Sequence, residues 1–332
     1  MKIKKVLVTG GAGYVGAVLV PKLLHKGYEV SVFDWYLYQP EVFKRFRKKG
    51  KLKEIKGDLR DRRLVEKELK GMDAVIHLAC ISNDPSFELD SDLGKSINYD
   101  ASKHLVDLAR RAKVTRFIYA SSSSVYGVKD EKDVHEGLAL EPLTDYSKYK
   151  AEIEKYILEK ASDDFICLIL RPATVCGYSD RLRLDLTVNL LTLQALVNKK
   201  ITVFGGSQKR PNIHIEDMTD LYVKSLEYKD DLIHKRIYNA GYENYTVGDI
   251  ALMIKRVIGD NSIEIVFSPT NDLRSYHISS KKIYRELGFK PIHSVEEAIR
   301  DLVDAYKKGL IPDPFTKEHY FNVKMMKKRK IK

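Results

Sequence analysis

The sequence predicts an α/β fold: a doubly wound parallel sheet followed by a smaller, mostly helical region. Three observations carry this. Short β-rich runs alternate with helical patterns through the first half of the chain. A glycine-rich turn joins the first strand pattern to the first helix pattern. After Arg171 the alternation gives way to longer connections and helices. Alternating strands and helices imply βαβ units, and right-handed crossovers then leave a ligand crevice at the C-terminal ends of the strands.

The strand patterns fall at 3–8, 29–34, 52–56, 74–78, 117–120 and 165–170, rich in Val, Ile and Phe. Between them, apolar residues recur at helical spacing over 14–25, 61–69, 93–111 and 145–160. Beyond Arg171, helices are predicted at 184–197, 217–228, 247–257, 279–287 and 295–307, with short strands at 201–204 and 263–266. These patterns divide the chain into a nucleotide-binding domain over 1–172 and a region over 173–332 that caps the crevice. The chain is expected to cross between them more than once.

Composition excludes several classes. The 332 residues are 44% hydrophobic and 31% charged, which suits a soluble globular chain and not a disordered one. No apolar run is long enough to span a bilayer, so no membrane role is expected. Met1–Lys5 leads straight into a strand pattern, which points to the cytoplasm. The cysteines Cys80, Cys167 and Cys176 have no paired spacing, which argues against disulfides and a thiolate metal cage. No His/Asp/Glu spacing suggests a metal either. The net charge of +12 is scattered apart from Lys327–Lys330, a solvated end, so nucleic acid is not an expected partner.

The strand pattern at Val6–Val8 runs into Thr9-Gly10-Gly11-Ala12-Gly13-Tyr14-Val15-Gly16 and then an apolar helix. That is the setting of a Rossmann dinucleotide loop. Its glycines let the backbone turn tightly beneath a pyrophosphate, and the helix start offers unpaired N–H groups to it. Asp34 ends the second strand pattern, where a carboxylate accepts the adenosine-ribose hydroxyls and repels a 2′-phosphate. Trp35-Tyr36-Leu37 bring no cation beside it, so the expected cofactor is NAD rather than NADP. Gly57-Asp58-Leu59 follows the third strand pattern, placed to meet the adenine edge.

The 117–120 strand leads into Ser121-Ser122-Ser123-Ser124-Val125-Tyr126-Gly127. Downstream, Tyr146 and Lys150 share a helix face at i,i+4 spacing. A free phenol has a pKa of about 10, and lowering it by about three units needs roughly 4 kcal/mol. An ammonium and a positively charged nicotinamide both favour the phenolate. With a hydroxyl from the serine run, Tyr146 would take a proton from a substrate alcohol as hydride leaves to the nicotinamide. The bland reading is an amphipathic helix with a Tyr/Lys face. The dinucleotide loop and the serine run upstream favour the catalytic one.

These residues resemble the extended short-chain dehydrogenase/reductases, in the branch of NAD-dependent nucleotide-sugar epimerases and dehydratases. The shared motifs are the Thr9–Gly16 loop, Asp34, Gly57-Asp58, His77-Leu78-Ala79, Asn98, the serine run, Tyr146 with Lys150, and Leu170-Arg171-Pro172. The resemblance implies cofactor contacts from Gly10, Gly13, Tyr14, Val15, Gly16, Asp34, Asp58, Leu59, Leu78, Ala79, Asn98, Ser121, Tyr146, Lys150 and Pro172. It puts the catalytic hydroxyl on Ser122, counting back from Val125-Tyr126-Gly127. On the substrate side it implies Phe204, Arg210 and Asp272, and Ser123, Thr174 and Arg183 are further candidates there. Pro269 stands where the family usually has Arg, with Arg274 as its compensation. It also implies a homodimer through the helices at 93–111 and 145–160.

The same count separates reactions. The 4,6-dehydratases of the family carry Asp-Glu after the catalytic hydroxyl, and here those positions are Ser123 and Ser124. Neither serine serves as acid or base near neutrality, which disfavours dehydration. Ser124 also stands where the 3,5-epimerase/reductases carry Cys. The expected activity is that of an NAD-dependent nucleotide-sugar 4-epimerase, similar to the UDP-glucose 4-epimerases but of a distinct subfamily. It would oxidise C4 of a sugar carried on a nucleoside diphosphate and return the hydride to the other face. A C4 dehydrogenase that releases the ketone uses the same residues. A non-catalytic NAD-sensing or RNA-binding protein is the rival of another class. Thr174, where Asn is usual, and the added cations Arg181 and Arg183 leave the nucleotide and sugar open. His77 is expected to be packed, while His214 adjoins Arg210 and could touch substrate.

Overall fold

A computed structural model describes residues 3–82, 84–270 and 275–329. Six strands of the first half are β1 (Lys5–Thr9), β2 (Glu29–Asp34), β3 (Leu52–Lys56), β4 (Ala74–His77), β5 (Arg116–Ala120) and β6 (Ile166–Pro172). The later strands are β7 (Thr174–Cys176), β8 (Lys200–Phe204), β9 (Lys209–His214), β10 (Arg236–Ala240), β11 (Glu243–Thr246) and β12 (Glu264–Ser268). The main sheet has seven strands in the order β10-β6-β5-β4-β1-β2-β3, and every pairing in it is parallel. The strand order reverses between β1 and β4, and a crevice opens there at the strand ends.

Both faces of the sheet are apolar because both are covered. Val6 and Val8 point to the side packed by the Gly16–His25 and Ile215–Ser225 helices. Leu7, one residue out of phase, points to the side packed by the Arg62–Leu69, Ser102–Arg111 and Asp145–Lys160 helices. A separate core joins Val188, Ile201, Ile250 and Ile299 where the Thr187–Asn198, Val247–Ile258 and Val295–Lys307 helices meet β8.

Three elements differ from the sequence reading. The region after residue 172 has its expected helices, but it also carries more strands than expected. It holds a three-stranded sheet ordered β11-β9-β7 and a parallel β12-β8 pair, and it returns β10 to the edge of the main sheet. The helix expected over 93–111 is broken into Ser91–Lys95, a wide π-type turn at Ser96–Ala101, and Ser102–Arg111. The wide turn lets Asn98 face inward, where its amide bonds the Ile81 backbone. The first helix begins at Gly16 rather than residue 14, because the phosphate-loop turn occupies the preceding residues.

Candidate active site

A cleft of about 490 Å³ lies along the C-terminal ends of the parallel strands. At one end Gly10 adopts φ +71°, a left-handed conformation, and a Cβ there would lie 2.6 Å from the Ala79 backbone. The Gly16–His25 helix starts behind Val15, which offers no side-chain cap. Its first N–H groups therefore suit an anion. Gly13 lines the cleft, and a Cβ on it would approach only the Gly10 carbonyl, at 3.1 Å. Tyr14 also borders the cleft, its hydroxyl donating to the Gly177 carbonyl at 2.7 Å.

Asp34 stands at the end of β2 with its carboxylate held in place. It accepts from the Ala12 N–H at 3.0 Å and the Tyr36 N–H at 2.7 Å. Burial raises its pKa, and those N–H groups oppose the rise. Beside it, Arg60 donates to Asp58 at 2.7 Å and lies 5.9 Å from the centre of the Trp35 ring. Asp58 is thus already engaged. Burial raises its pKa, but Arg60 and the Trp35 indole outweigh that and hold it below the usual value. The Trp35–Arg60 platform escaped the sequence reading because its members meet only across β2 and β3.

Ser122, Tyr146 and Lys150, the residues expected to be catalytic, border the cleft together with Ser121 and Ser123. Tyr146, Lys150 and Glu154 recur every four residues along one face of the Asp145–Lys160 helix. Glu154 anchors that face. It accepts from Ser121 and pairs with Arg171 of β6 at 2.6 Å, both partners being buried. The Arg171 guanidinium also donates to the Tyr126 hydroxyl at 2.8 Å. Lys150 is 3% exposed. It donates to the Ala120 carbonyl at 2.6 Å and lies 5.9 Å from the Tyr146 ring centre.

Burial holds the Tyr146 phenol well above its ordinary pKa, with Cys80 and Asp84 adding to the rise. Arg183 and a hydrogen bond with Ser122 oppose it. The expectation that Lys150 acidifies this phenol therefore needs correction for the protein alone. The Lys150 ammonium is turned to a carbonyl, and desolvation dominates. A second positive charge in the cleft is required to favour the phenolate.

Leu59, Leu78, Ala79, Val15, Gly16 and Pro172, expected on the cofactor side, also border the cleft. Thr174, Arg183 and Arg210, expected on the substrate side, border it too. Arg183 faces Asp185 at 3.3 Å and the Ser82 carbonyl at 3.3 Å, and Arg210 lies 5.3 Å from the Tyr276 ring centre. Two expected contacts are corrected. Asn98 does not border the cleft: both ends of its amide are spent on the Ile81 backbone, at 2.8 and 2.9 Å, so it fixes the loop after β4. Phe204 is 59% exposed and also lies away from the cleft. Asp272 and Arg274 fall outside the described residues.

His77 is buried between Thr9, at 2.7 Å, and Ser102, at 3.0 Å. His214 is not among the cleft residues. It caps the Ile215–Ser225 helix, its Nδ1 accepting from the Glu216 N–H at 3.1 Å. Among the described residues, no group of three or more His, Cys, Asp or Glu could hold a metal. No described helix is long and apolar enough to cross a membrane. Residues of the cleft that the sequence reading passed over include Asp84, Asn322 and Met326.

The sequence profile of the NAD dependent epimerase/dehydratase family matches residues 6–241. The chain belongs to that family. Its cofactor is NAD, and the glycine cradle, the open helix start and the carboxylate of Asp34 fit that dinucleotide. UDP-glucose 4-epimerase 2 of Arabidopsis thaliana is 29% identical over 330 residues, covering 90% of this chain and 94% of its own. The dTDP-D-glucose 4,6-dehydratase of Homo sapiens is 27% identical over 326 residues, covering 92% of this chain and 91% of its own. The structure of UDP-glucuronic acid 4-epimerase from Bacillus cereus, in complex with UDP-glucuronic acid and NAD, matches with a TM-score of 0.82. It is 26% identical, over 92% of this chain and 99% of that one. The family thus includes relatives of both reaction types, and this chain is an NAD-dependent enzyme of the epimerase/dehydratase class.

Proposed function

We propose that this enzyme is a nucleotide-sugar 4-epimerase. The observation that carries the reading is the pair of serines, Ser123 and Ser124, that border the cleft together with Ser122 and Tyr146. Removing water from a sugar needs an acid and a base in addition to the hydride acceptor. Serine hydroxyls at those two positions supply neither near neutral pH. Oxidation and re-reduction at one carbon need only the base, its hydroxyl partner and the dinucleotide.

When bound, NAD supplies the hydride acceptor and a positive charge. Tyr146 takes the proton of the C4 hydroxyl, with Ser122 aligning that hydroxyl. Lys150 holds the base's surroundings positive and has donors to spare for ribose hydroxyls. Thr174, Arg183 and Arg210 lie on the side left to the nucleoside diphosphate and the sugar. Arg210 is the natural diphosphate ligand, because a guanidinium fork matches phosphate oxygens. A homodimer through the Ser102–Arg111 and Asp145–Lys160 helices belongs to the same proposal, and sedimentation velocity checks it.

The test is product analysis with UDP-, GDP-, CDP- and dTDP-hexoses. An isomer of the substrate is expected. A product lighter by two hydrogens makes the enzyme a C4 dehydrogenase, and one lighter by water makes it a dehydratase. Tyr146→Phe should lose at least about a hundredfold in kcat while still binding NAD. Unchanged turnover in that variant removes Tyr146 from the chemistry, and no turnover of any sugar by the native protein leaves an NAD-binding protein of another kind.

A further inference from the structure

Arg181 carries a positive charge that the protein alone leaves unanswered. It borders the cleft and is 3% exposed. Among the described residues its guanidinium has one hydrogen-bond acceptor, the side-chain oxygen of Asn322, and no carboxylate within ion-pairing distance. Its Nε is buried and has no partner. The Tyr38 ring centre lies 3.9 Å from the guanidinium carbon. Burial lowers its pKa from 12.5 to about 10, so it stays charged near neutrality. A buried cation without a counter-charge is costly to keep.

The contacts of Arg181 fix its place at the strand ends. Its backbone N–H donates to the Ser179 hydroxyl at 3.3 Å, and that hydroxyl donates to the Tyr14 carbonyl at 2.9 Å. The Tyr14 hydroxyl donates in turn to the Gly177 carbonyl at 2.7 Å. These bonds tie the segment after β7 to the phosphate loop, which follows β1. Tyr38 belongs to the segment after β2. Asn322 also donates to the Ser82 hydroxyl, in the segment after β4, at 2.9 Å. β4, β1 and β2 are neighbours in the sheet, so Arg181 is held by the segments that follow all three. A dinucleotide on such a sheet keeps its diphosphate at the helix start after β1 and its adenosine toward β2.

We propose that Arg181 binds the diphosphate of NAD, as the cationic partner of the uncapped start of the Gly16–His25 helix. A guanidinium has five donors, and this one spends few of them inside the protein. Its planar fork suits phosphate oxygens, and its charge suits their anion. Tyr38 and Asn322 hold the group in place beforehand, which leaves little ordering to be done on binding. A sugar nucleotide brings a diphosphate of its own. The ties to the phosphate loop and to Tyr38 favour the coenzyme's. The inference holds whichever reaction the enzyme catalyses.

Equilibrium titration of the full chain with NAD, ADP, adenosine and UDP tests it without any turnover. Arg181→Met should weaken NAD and ADP by about tenfold or more and leave adenosine within about twofold. Arg181→Lys, which keeps the charge and loses the fork, should fall between native protein and Arg181→Met. Added salt should weaken ADP binding more steeply in native protein than in Arg181→Met. Asn322→Asp keeps the arginine but gives it a carboxylate, and it should weaken ADP as well. It also decides the matter if Arg181→Met does not fold. Native ADP affinity in Asn322→Asp overturns the proposal, because the free charge is then not what binds. Unchanged ADP affinity in Arg181→Met overturns it too. So does an equal loss of adenosine and ADP, because packing on Tyr38 then sets the affinity. Weakened UDP beside intact ADP overturns it in favour of the substrate's diphosphate.

Discussion

His77 shows how a single buried side chain ties stability to pH. Its ring nitrogens are shared between the hydroxyls of Thr9 and Ser102, and burial pushes its pKa from 6.5 down to about 3. The unfolded chain therefore binds a proton there more readily than the native one. The resulting stability is present in full above pH 6.5 and is lost progressively as pH falls toward the folded value of about 3. At about pH 5 the loss from this residue alone should be near 2 kcal/mol. Urea unfolding at about pH 7.5 and pH 5 checks it, with His77→Asn as the reference. The variant is less stable at neutral pH but should show a shallower acid slope. Parallel slopes would place the acid sensitivity elsewhere.

At the scale of elements, the Asp145–Lys160 helix is anchored by the buried pair of Glu154 and Arg171. Glu154→Ala leaves a guanidinium buried without its partner and should destabilise the fold by about 3–5 kcal/mol, read from the urea midpoint. Replacing both, Glu154→Leu with Arg171→Met, should recover much of that loss, because the pair is costly to desolvate. An equally unstable double variant would show that the Ser121 and Tyr126 contacts matter more than the ion pair. This anchor also marks what the sequence could disclose. β2, β3 and the Asp145–Lys160 helix have the bounds their patterns predict, since β2 and β3 lie between the turn glycines Gly27, Gly50 and Gly57 and the helix carries a complete helical repeat. β10 was missed because Arg-Ile-Tyr-Asn-Ala is short and at the sheet edge, with a partner only in β6. β9 was missed because it contains Pro211. In the cleft, residues adjacent to strand ends were legible as motifs. Asp84, Ser147 and Trp35–Arg60 were not, because their partners are distant in sequence and no spacing rule links them.

For the whole molecule, closure of the cleft depends on the Asn322–Arg329 helix. Asn322 accepts from Arg181 and donates to Ser82 at 2.9 Å. Met326 packs with Leu37, Ile81 and Phe87. Removing residues from 322 onward exposes that apolar contact, worth about 1.5–3 kcal/mol. Such a truncation should release NAD about tenfold faster, followed by dilution and nucleotide fluorescence, with the central sheet still folding cooperatively. An unchanged release rate would reduce this helix to a surface ornament of the fold. The same arrangement sets an order of events during biosynthesis. The phosphate loop leaves the ribosome some three hundred residues before Met326, which borders the same cleft. A nascent chain can therefore sample its coenzyme long before it can keep it, and lasting capture waits until translation has passed Met326.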